Sequence, residues 1–400
     1  MSTSQFTLPP ALEPPRTRRR RWPVALGVVV GVVAALVIVA SLVTAPYTEL
    51  VPGDALPVDT LITVPAGLGH PHHGRLFLTD VGVNTLHYIN YFYTQLFPDP
   101  KNDVVPTGAL TSNLPLSEFN AQGTVDMAES QLTAEAVALR QLGYSVPEHD
   151  VGVTIYVIAP GSPAARALQV GDVVTSIDGT PTTNPQALVD AVRAHRPGDV
   201  VTVRVGSIAH PTPGRAVPVK LASRVDAGKT VPFIGIGDPT DPQASLLSPM
   251  GTQPAYDFPF KVSISTDNIG GPSAGLAFTL GIVNTLSGGN VTGGLNVAAT
   301  GTIRPDGTVG DVGGVKQKTS AVESAGATVF LVPKTPGDTE LKLARSVAGS
   351  QLKVFAVGSL SEALSDLEHL GGRLGAASHG PPPGPGGNSV PTDWQQSPWT

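Results

Sequence analysis

The sequence predicts a multidomain α/β (α+β) protein behind one apolar N-terminal helix. First, 400 residues with 45 glycines and 39 prolines exceed one compact core and call for two or three domains with turn-rich connections. Second, Pro23 to Ala45 is an uninterrupted run without charge. Third, strand-like stretches alternate with helical ones from residue 229 to residue 370, the pattern of a mixed α/β layer. Hydrophobic residues make up 41%, enough for real cores.

The N-terminal run, PVALGVVVGVVAALVIVASLVTA, would extend roughly 34 Å as a helix, about one bilayer core. Arg16 and Arg18 to Arg21 stand directly before it and assign that end to the cytoplasm. Val43-Thr44-Ala45 has the look of a signal-peptide cleavage site, but the apolar core of a signal peptide is shorter, about 7 to 15 residues. The expectation is a basic leader (1–22), a single-pass anchor (23–45) and extracytoplasmic domains. Without the leader, 20 basic residues remain against 30 acidic ones, a net charge of about −10 that argues against nucleic acid as a partner. The absence of cysteine excludes disulfides, a thiol nucleophile and a thiolate zinc site.

Residues 46–145 read as an N-terminal extracytoplasmic region with a strand near Gly74 to Val83 and a helix near Val125 to Tyr144 stopped by Gly143. His70 to His73 lie in a Pro/Gly loop without a nearby carboxylate, so no metal is assigned to them, and no cofactor is implied elsewhere.

From about Val146 to Arg224 come a strand, a loop with a short helix and hairpin, a helix at NPQALVDAVRAH and a strand at DVVTVRV. The run IAPGSPAARALQVGDVVTSIDG, Ile158 to Gly179, resembles the PDZ domains of bacterial envelope proteases. That resemblance implies a β-rich module that captures an extended peptide at a sheet edge. The edge is expected at Gly152, Val153 and Ile155. A spacer domain that binds nothing is the alternative. Asp172 and Asp178 read as turn residues.

Residues 229–370 form the next unit, and residues 371–400 read as a disordered tail, too poor in apolar residues to order itself. Within that unit, Ser273 lies in Gly270-Gly271-Pro272-Ser273-Ala274-Gly275, ahead of the helical run LAFTLGIVNTL. A serine there is either a plain helix cap or a nucleophile with helix-start N–H groups at hand for an oxyanion. The same residues fit the G-x-S-x-G elbow, which needs a downstream histidine; only His369 and His379 follow. A lysine base is the other option, and Lys316 and Lys318 are the candidates. On a helix starting after Gly314, Val315, Lys318, Val322 and Ala325 share one stripe, whereas Lys316, Thr319, Ser320 and Glu323 share the polar one. Lys318 is therefore expected to point inward, where lost hydration lowers its pKa toward that of a general base. Snorkelling of the ammonium to solvent is the competing outcome.

Gly271 to Gly275, Thr300 to Ile303 (TGTI), Gly313 to Lys318 (GGVKQK) and Ala325 to Pro333 (AGATVFLVP) together resemble the proteolytic domain of the Lon peptidases, with a fold like ribosomal protein S5 domain 2. The resemblance implies Ser273 as nucleophile, Lys318 as base and Thr300 as the residue orienting it, with Gly271, Pro272 and Ala274 shaping the turn. It also implies a ring-like homo-oligomer. The chain departs from Lon enzymes in showing no ATPase: Gly228-Lys229-Thr230 is preceded by Ser223 where a phosphate loop needs glycine. Gly270 stands where many Lon enzymes are acidic, which leaves the part of Asp267 or Asn268 open. With its anchor and PDZ-like module, the chain resembles the PDZ-containing Lon-like proteases of Gram-positive bacteria. The expected function is an ATP-independent, membrane-anchored serine endopeptidase acting on protein or peptide substrates. The alternative is an inactive membrane-tethered adaptor.

Overall fold

The computed structural model describes residues 22–71, 73–112, 114–226, 228–237, 250–266, 269–288 and 290–375. The arginine cluster, His72, Asp267, Asn268 and the tail from residue 376 lie outside them.

The described residues form two compact units: one from Trp22 to Ala45 with Thr85–Pro98, the other from the remaining described residues. The first contains α1 (Trp22–Leu42), an apolar helix with none of Ala25–Leu42 buried. It also contains the end of a strand, from Thr85, and the short helix that follows it.

The second unit is built on two sheets. Its strands are β1 (Thr44–Pro57), β2 (Arg75–His87), β3 (Asp103–Pro106), β4 (Glu148–Ile155), β5 (Asp172–Ile177), β6 (Val200–Ser207) and β7 (Arg215–Lys220). A hairpin, β8 (Ala222–Asp226) and β9 (Lys229–Phe233), comes next. Then follow β10 (Met250–Tyr256), β11 (Asn296–Ala299), β12 (Val329–Pro333) and β13 (Lys353–Val357). Besides α2 (Tyr88–Leu96) of the first unit and a five-residue turn of helix at Thr107–Thr111, the described helices are α3 (Leu116–Gln141), α4 (Pro185–Arg193), α5 (Gly275–Leu286), α6 (Val315–Ser324), α7 (Thr339–Val347) and α8 (Leu360–His369).

One sheet runs in the order β13-β12-β11-β2-β1-β3, with β11 parallel to both β12 and β2, and β12 parallel to β13. Strands of a parallel sheet need cover on both faces. The alternation of side chains supplies it: Leu76, Leu78, Val297, Ala299, Val329 and Leu331 point to a core shared with α3, α5 and α8. Phe77, Ala298, Phe330 and Val332 point the other way, to Val315 and Val322 of α6 and Ala344 of α7. The division at residue 145 is not kept. Residues 44–142 and 257–370 complete one α/β layer, because β2 finds its parallel partner in β11, far downstream.

The second sheet, β10-β4-β5-β6-β7, packs on α4 around Val153, Ile155, Val174, Leu188, Val201 and Val203. Asn184 caps α4 through its side chain, which accepts from Ala187 N–H at 2.9 Å. Gly228 turns the β8–β9 hairpin with φ 78°, so the Gly-Lys-Thr run is a turn entering a strand. The C-terminal end is ordered slightly past the expected limit: Arg373 N–H donates to Asn290 O at 2.9 Å.

Candidate active site

Ser273 sits in the 3₁₀ turn Pro272–Ala274 that leads into α5. The preceding Gly271 has φ 88°, a conformation that glycine adopts without steric cost. Its N–H donates to Gly123 O of α3 at 2.7 Å, and Ser130 Oγ of α3 donates to Pro272 O at 3.1 Å. Gly275 lets α5 approach the chain beyond β11: a Cβ there would lie 2.8 Å from Ile303 Cγ2 and 2.9 Å from Ile303 N. Ala274 is buried in the core beneath the turn.

The turn after β11 clamps the serine from the other side. Gly301 N–H donates to Ser273 O at 2.8 Å, and Thr300 Oγ1 donates to the same oxygen at 3.2 Å. Gly301 has φ 150° and presses on Val309, whose Cγ1 would lie 2.6 Å from an added Cβ. Thr300 itself is fully buried.

Lys318, which closes the first turn of α6, brings Nζ to 2.7 Å from Ser273 Oγ and 3.1 Å from Thr300 Oγ1. It is 3% exposed, and burial pulls its pKa down to about 8 against the opposing fields of Asp80 and Glu340. Snorkelling is ruled out by that burial. Because the Thr300 hydroxyl spends its proton on Ser273 O, its lone pair is free to take an N–H of the amine. The amine is thereby oriented, and a neutral Lys318 can turn its own lone pair to the serine proton.

Lys316 points elsewhere: its Nζ lies 2.7 Å from Asp103 Oδ1 of β3, and Gln317 Nε2 donates to Asp103 Oδ2 at 2.9 Å. The helical stripe identifies the inward lysine, but Thr319 and Ser320, assigned to the polar side, are buried as well because α6 is covered by both the sheet and α7. His369 hydrogen-bonds the carbonyl of Ser365 in its own helix at 2.7 Å. His379 lies outside the described residues.

Sequence reading missed two contributors. Asp80, at the end of β2's buried segment, accepts from Asp54 N–H at 2.6 Å and favours the charged form of Lys318. Nothing in LFLTDVG marks it apart from a carboxylate late in an apolar strand. The other is α3. Beside Gly270, Gly271 and Pro272 it walls a cavity of about 790 Å³ with Phe119, Asp126 and Met127. Burial, then the neighbouring Glu129, pushes Asp126 up to about 6. On its far side α3 meets the second sheet. Gln122 Nε2 donates to Tyr156 O at 3.2 Å, Glu129 accepts from the Tyr156 hydroxyl, and Val125 packs with Val173 and Ile208.

The expected open edge at Gly152, Val153 and Ile155 is closed. These residues lie in β4, paired to β5 through Val153↔Val174 and to β10 through Gln253↔Gly152, Thr252↔Val153 and Met250↔Ile155. Gly152 serves strand packing, since a Cβ there would lie 2.7 Å from Val173 Cγ1. The apolar groove of this module, about 220 Å³, instead runs between α4 and the segment after β9, lined by Leu188, Val192, Phe233, Ile234 and Ile236. The Phe233-Ile-Gly-Ile-Gly237 run, read as part of the next unit, was the available signal.

Residues 265–368 match the sequence profile of the Lon protease (S16) C-terminal proteolytic domain, and residues 154–205 match that of a PDZ domain. A Lon protease of Frankia alni is 36% identical over 118 residues, 28% of this chain and 13% of that protein. Lon protease 1 of Sorangium cellulosum is 35% identical over 95 residues, 24% of this chain and 11% of that protein. The chain thus spans a small part of the length of these relatives. The PDZ domain of the SdrC-like protein of Listeria monocytogenes aligns at 29% identity and TM-score 0.19, over 21% of this chain and 84% of that one. The chain carries a Lon-type proteolytic domain with a PDZ domain ahead of it in sequence, and the residues that the profile covers include Ser273, Thr300 and Lys318.

Proposed function

We propose that this chain is a serine endopeptidase in which Ser273 and Lys318 form the catalytic dyad. The observation that carries the reading is the 2.7 Å contact between Lys318 Nζ and Ser273 Oγ, made by a buried lysine whose pKa is about 8. Neutral Lys318 takes the Ser273 proton as Oγ attacks the scissile carbonyl, and the resulting ammonium returns it to the leaving amine. Gly271 N–H is committed to Gly123 O, Pro272 has none and Ala274 N–H closes the 3₁₀ turn, so the N–H of Ser273 itself is the oxyanion donor on this turn. Thr300 is the positioning residue. Substrate lies in the groove between α3 and Gly270–Pro272, and the PDZ groove beside α4 receives an extended peptide.

The apolar α1 supports a single-pass anchor, and the arginines before it support an outward orientation of the domains. Hydrolysis then proceeds without ATP, on unfolded or loosely folded proteins. Cleavage of casein by the purified full chain, with and without ATP, tests the reading. Ser273→Ala and Lys318→Ala should abolish it and Lys316→Ala should retain it. An inert wild type would instead favour a tethered adaptor, and dependence on Lys316 would remove the assigned base.

A further inference from the structure

We infer that α2 is a second membrane contact, a short aromatic helix lying in the lipid headgroup region where α1 leaves the bilayer. The inference rests on the anchor reading of α1.

Residues 81–98, VGVNTLHYINYFYTQLFP, contain no Asp, Glu, Lys or Arg. In a water-exposed loop such a stretch would be expected to bury its apolar residues. Leu86 alone of this stretch is buried; none of α2 is, and Phe92, Tyr93, Leu96 and Phe97 are 55%, 63%, 73% and 66% exposed. Helical spacing makes this one surface. Tyr88, Phe92 and Leu96 follow at i, i+4 and i+8, with Ile89, Tyr93 and Phe97 on the adjacent row. The rings meet along these rows, with centroids 6.4 Å apart for Tyr88–Phe92 and 5.2 Å for Tyr93–Phe97. Contiguous exposed apolar surface of this kind marks an interaction site.

The position of α2 selects lipid as the occupant. It belongs to the same compact unit as α1 and packs against it. Tyr88 N–H, at the start of α2, donates at 3.1 Å to Val43 O, just past the end of α1. The apolar surface of α2 is therefore continuous with the exposed flank of α1. At nine residues it is about 13 Å long, far short of the roughly 30 Å needed to cross. Its composition, ring bodies tipped by tyrosine hydroxyls, suits the boundary between acyl chains and headgroups. The membrane would then hold the chain at two separated points of its sequence.

Cysteine-free sequence makes the test direct. Single Phe97→Cys, Val33→Cys and Val225→Cys variants of the full chain, carrying a bimane label, are reconstituted in phosphatidylcholine/phosphatidylglycerol vesicles. Quenching is read with aqueous iodide and with phosphatidylcholine bearing a shallow or a deep nitroxide. Val225, 70% exposed on β8, should respond to iodide alone. Val33, in α1, should lose most emission to the deep nitroxide. Phe97 should lose most emission to the shallow nitroxide and resist iodide. Iodide quenching of Phe97 with Val33 still lipid-quenched would overturn the inference and leave the anchor standing. Protection of Phe97 from both quenchers would assign the surface to a protein contact, and stronger quenching by the deep nitroxide would mean insertion, either of which overturns it. Failure of Val33 to meet lipid would remove the anchor and this inference together.

Discussion

Raising the pH should activate this protein through one group, Lys318. With a pKa of about 8, the free amine amounts to about 9% at pH 7 and about 91% at pH 9, so kcat/KM should rise about tenfold between them. The same burial has a stability consequence of fixed sign. The folded-state pKa lies below the ordinary 10.5, so between about 8 and 10.5 the unfolded chain binds the proton and the folded one does not. Stability therefore rises with pH across that window, and below it the buried ammonium costs about 3 kcal/mol. Lys318→Met, which keeps the apolar stem, should be inactive. At pH 7 it should be more stable by up to that amount, less the hydrogen bonds lost to Ser273 and Thr300, an advantage that fades toward pH 10.5. Peptide cleavage from about pH 6 to about pH 10, with denaturant unfolding of both proteins at the two ends, measures each part. A kinetic midpoint near that of an ordinary lysine, or a rate that falls as pH rises through 8, would refute the reasoning.

Thr300→Val removes the hydroxyl shared by Lys318 Nζ and Ser273 O; kcat should fall by about tenfold or more with KM little changed, and Thr300→Ser should restore most of it. Gly275→Ala drives a methyl group into the Ile303 backbone and should cost about 1 to 3 kcal/mol, read as a lower denaturation midpoint together with lost activity. Glu135, buried in α3 and accepting from Val262 N–H at 2.9 Å, has its pKa raised by burial to about 7. Its folded value exceeds the unfolded one, so stability should fall as pH rises from about 4.5 to 7; Glu135→Gln should make that decline shallower, seen as unfolding midpoints that change less over the window, with Asp126 still contributing.

Sequence by itself determined what local patterning can encode. An uncharged run of bilayer length forms α1, Asn184-Pro185 opens α4, and Gly-Gly followed by a 3.6-residue stripe turns Lys318 inward. Ser273 and Lys318 were legible as a pair because their two glycine-flanked segments together resemble the Lon proteolytic domain, and the helical stripe independently favoured Lys318 over Lys316. Tertiary structure alone decided what depends on pairing between distant segments. Parallel pairing of β2 with β11 joined residues 44–142 to the proteolytic layer and brought Asp80 within electrostatic reach of Lys318. Pairing of β10 with β4 closed the edge at Gly152, Val153 and Ile155. Strand partners have no local sequence period, since any apolar alternation suits several neighbours and only the whole core selects among them. The stripe already separated Lys318 from Lys316, but which group each amine meets, Ser273 for one and Asp103 for the other, was decided by what the fold places opposite them.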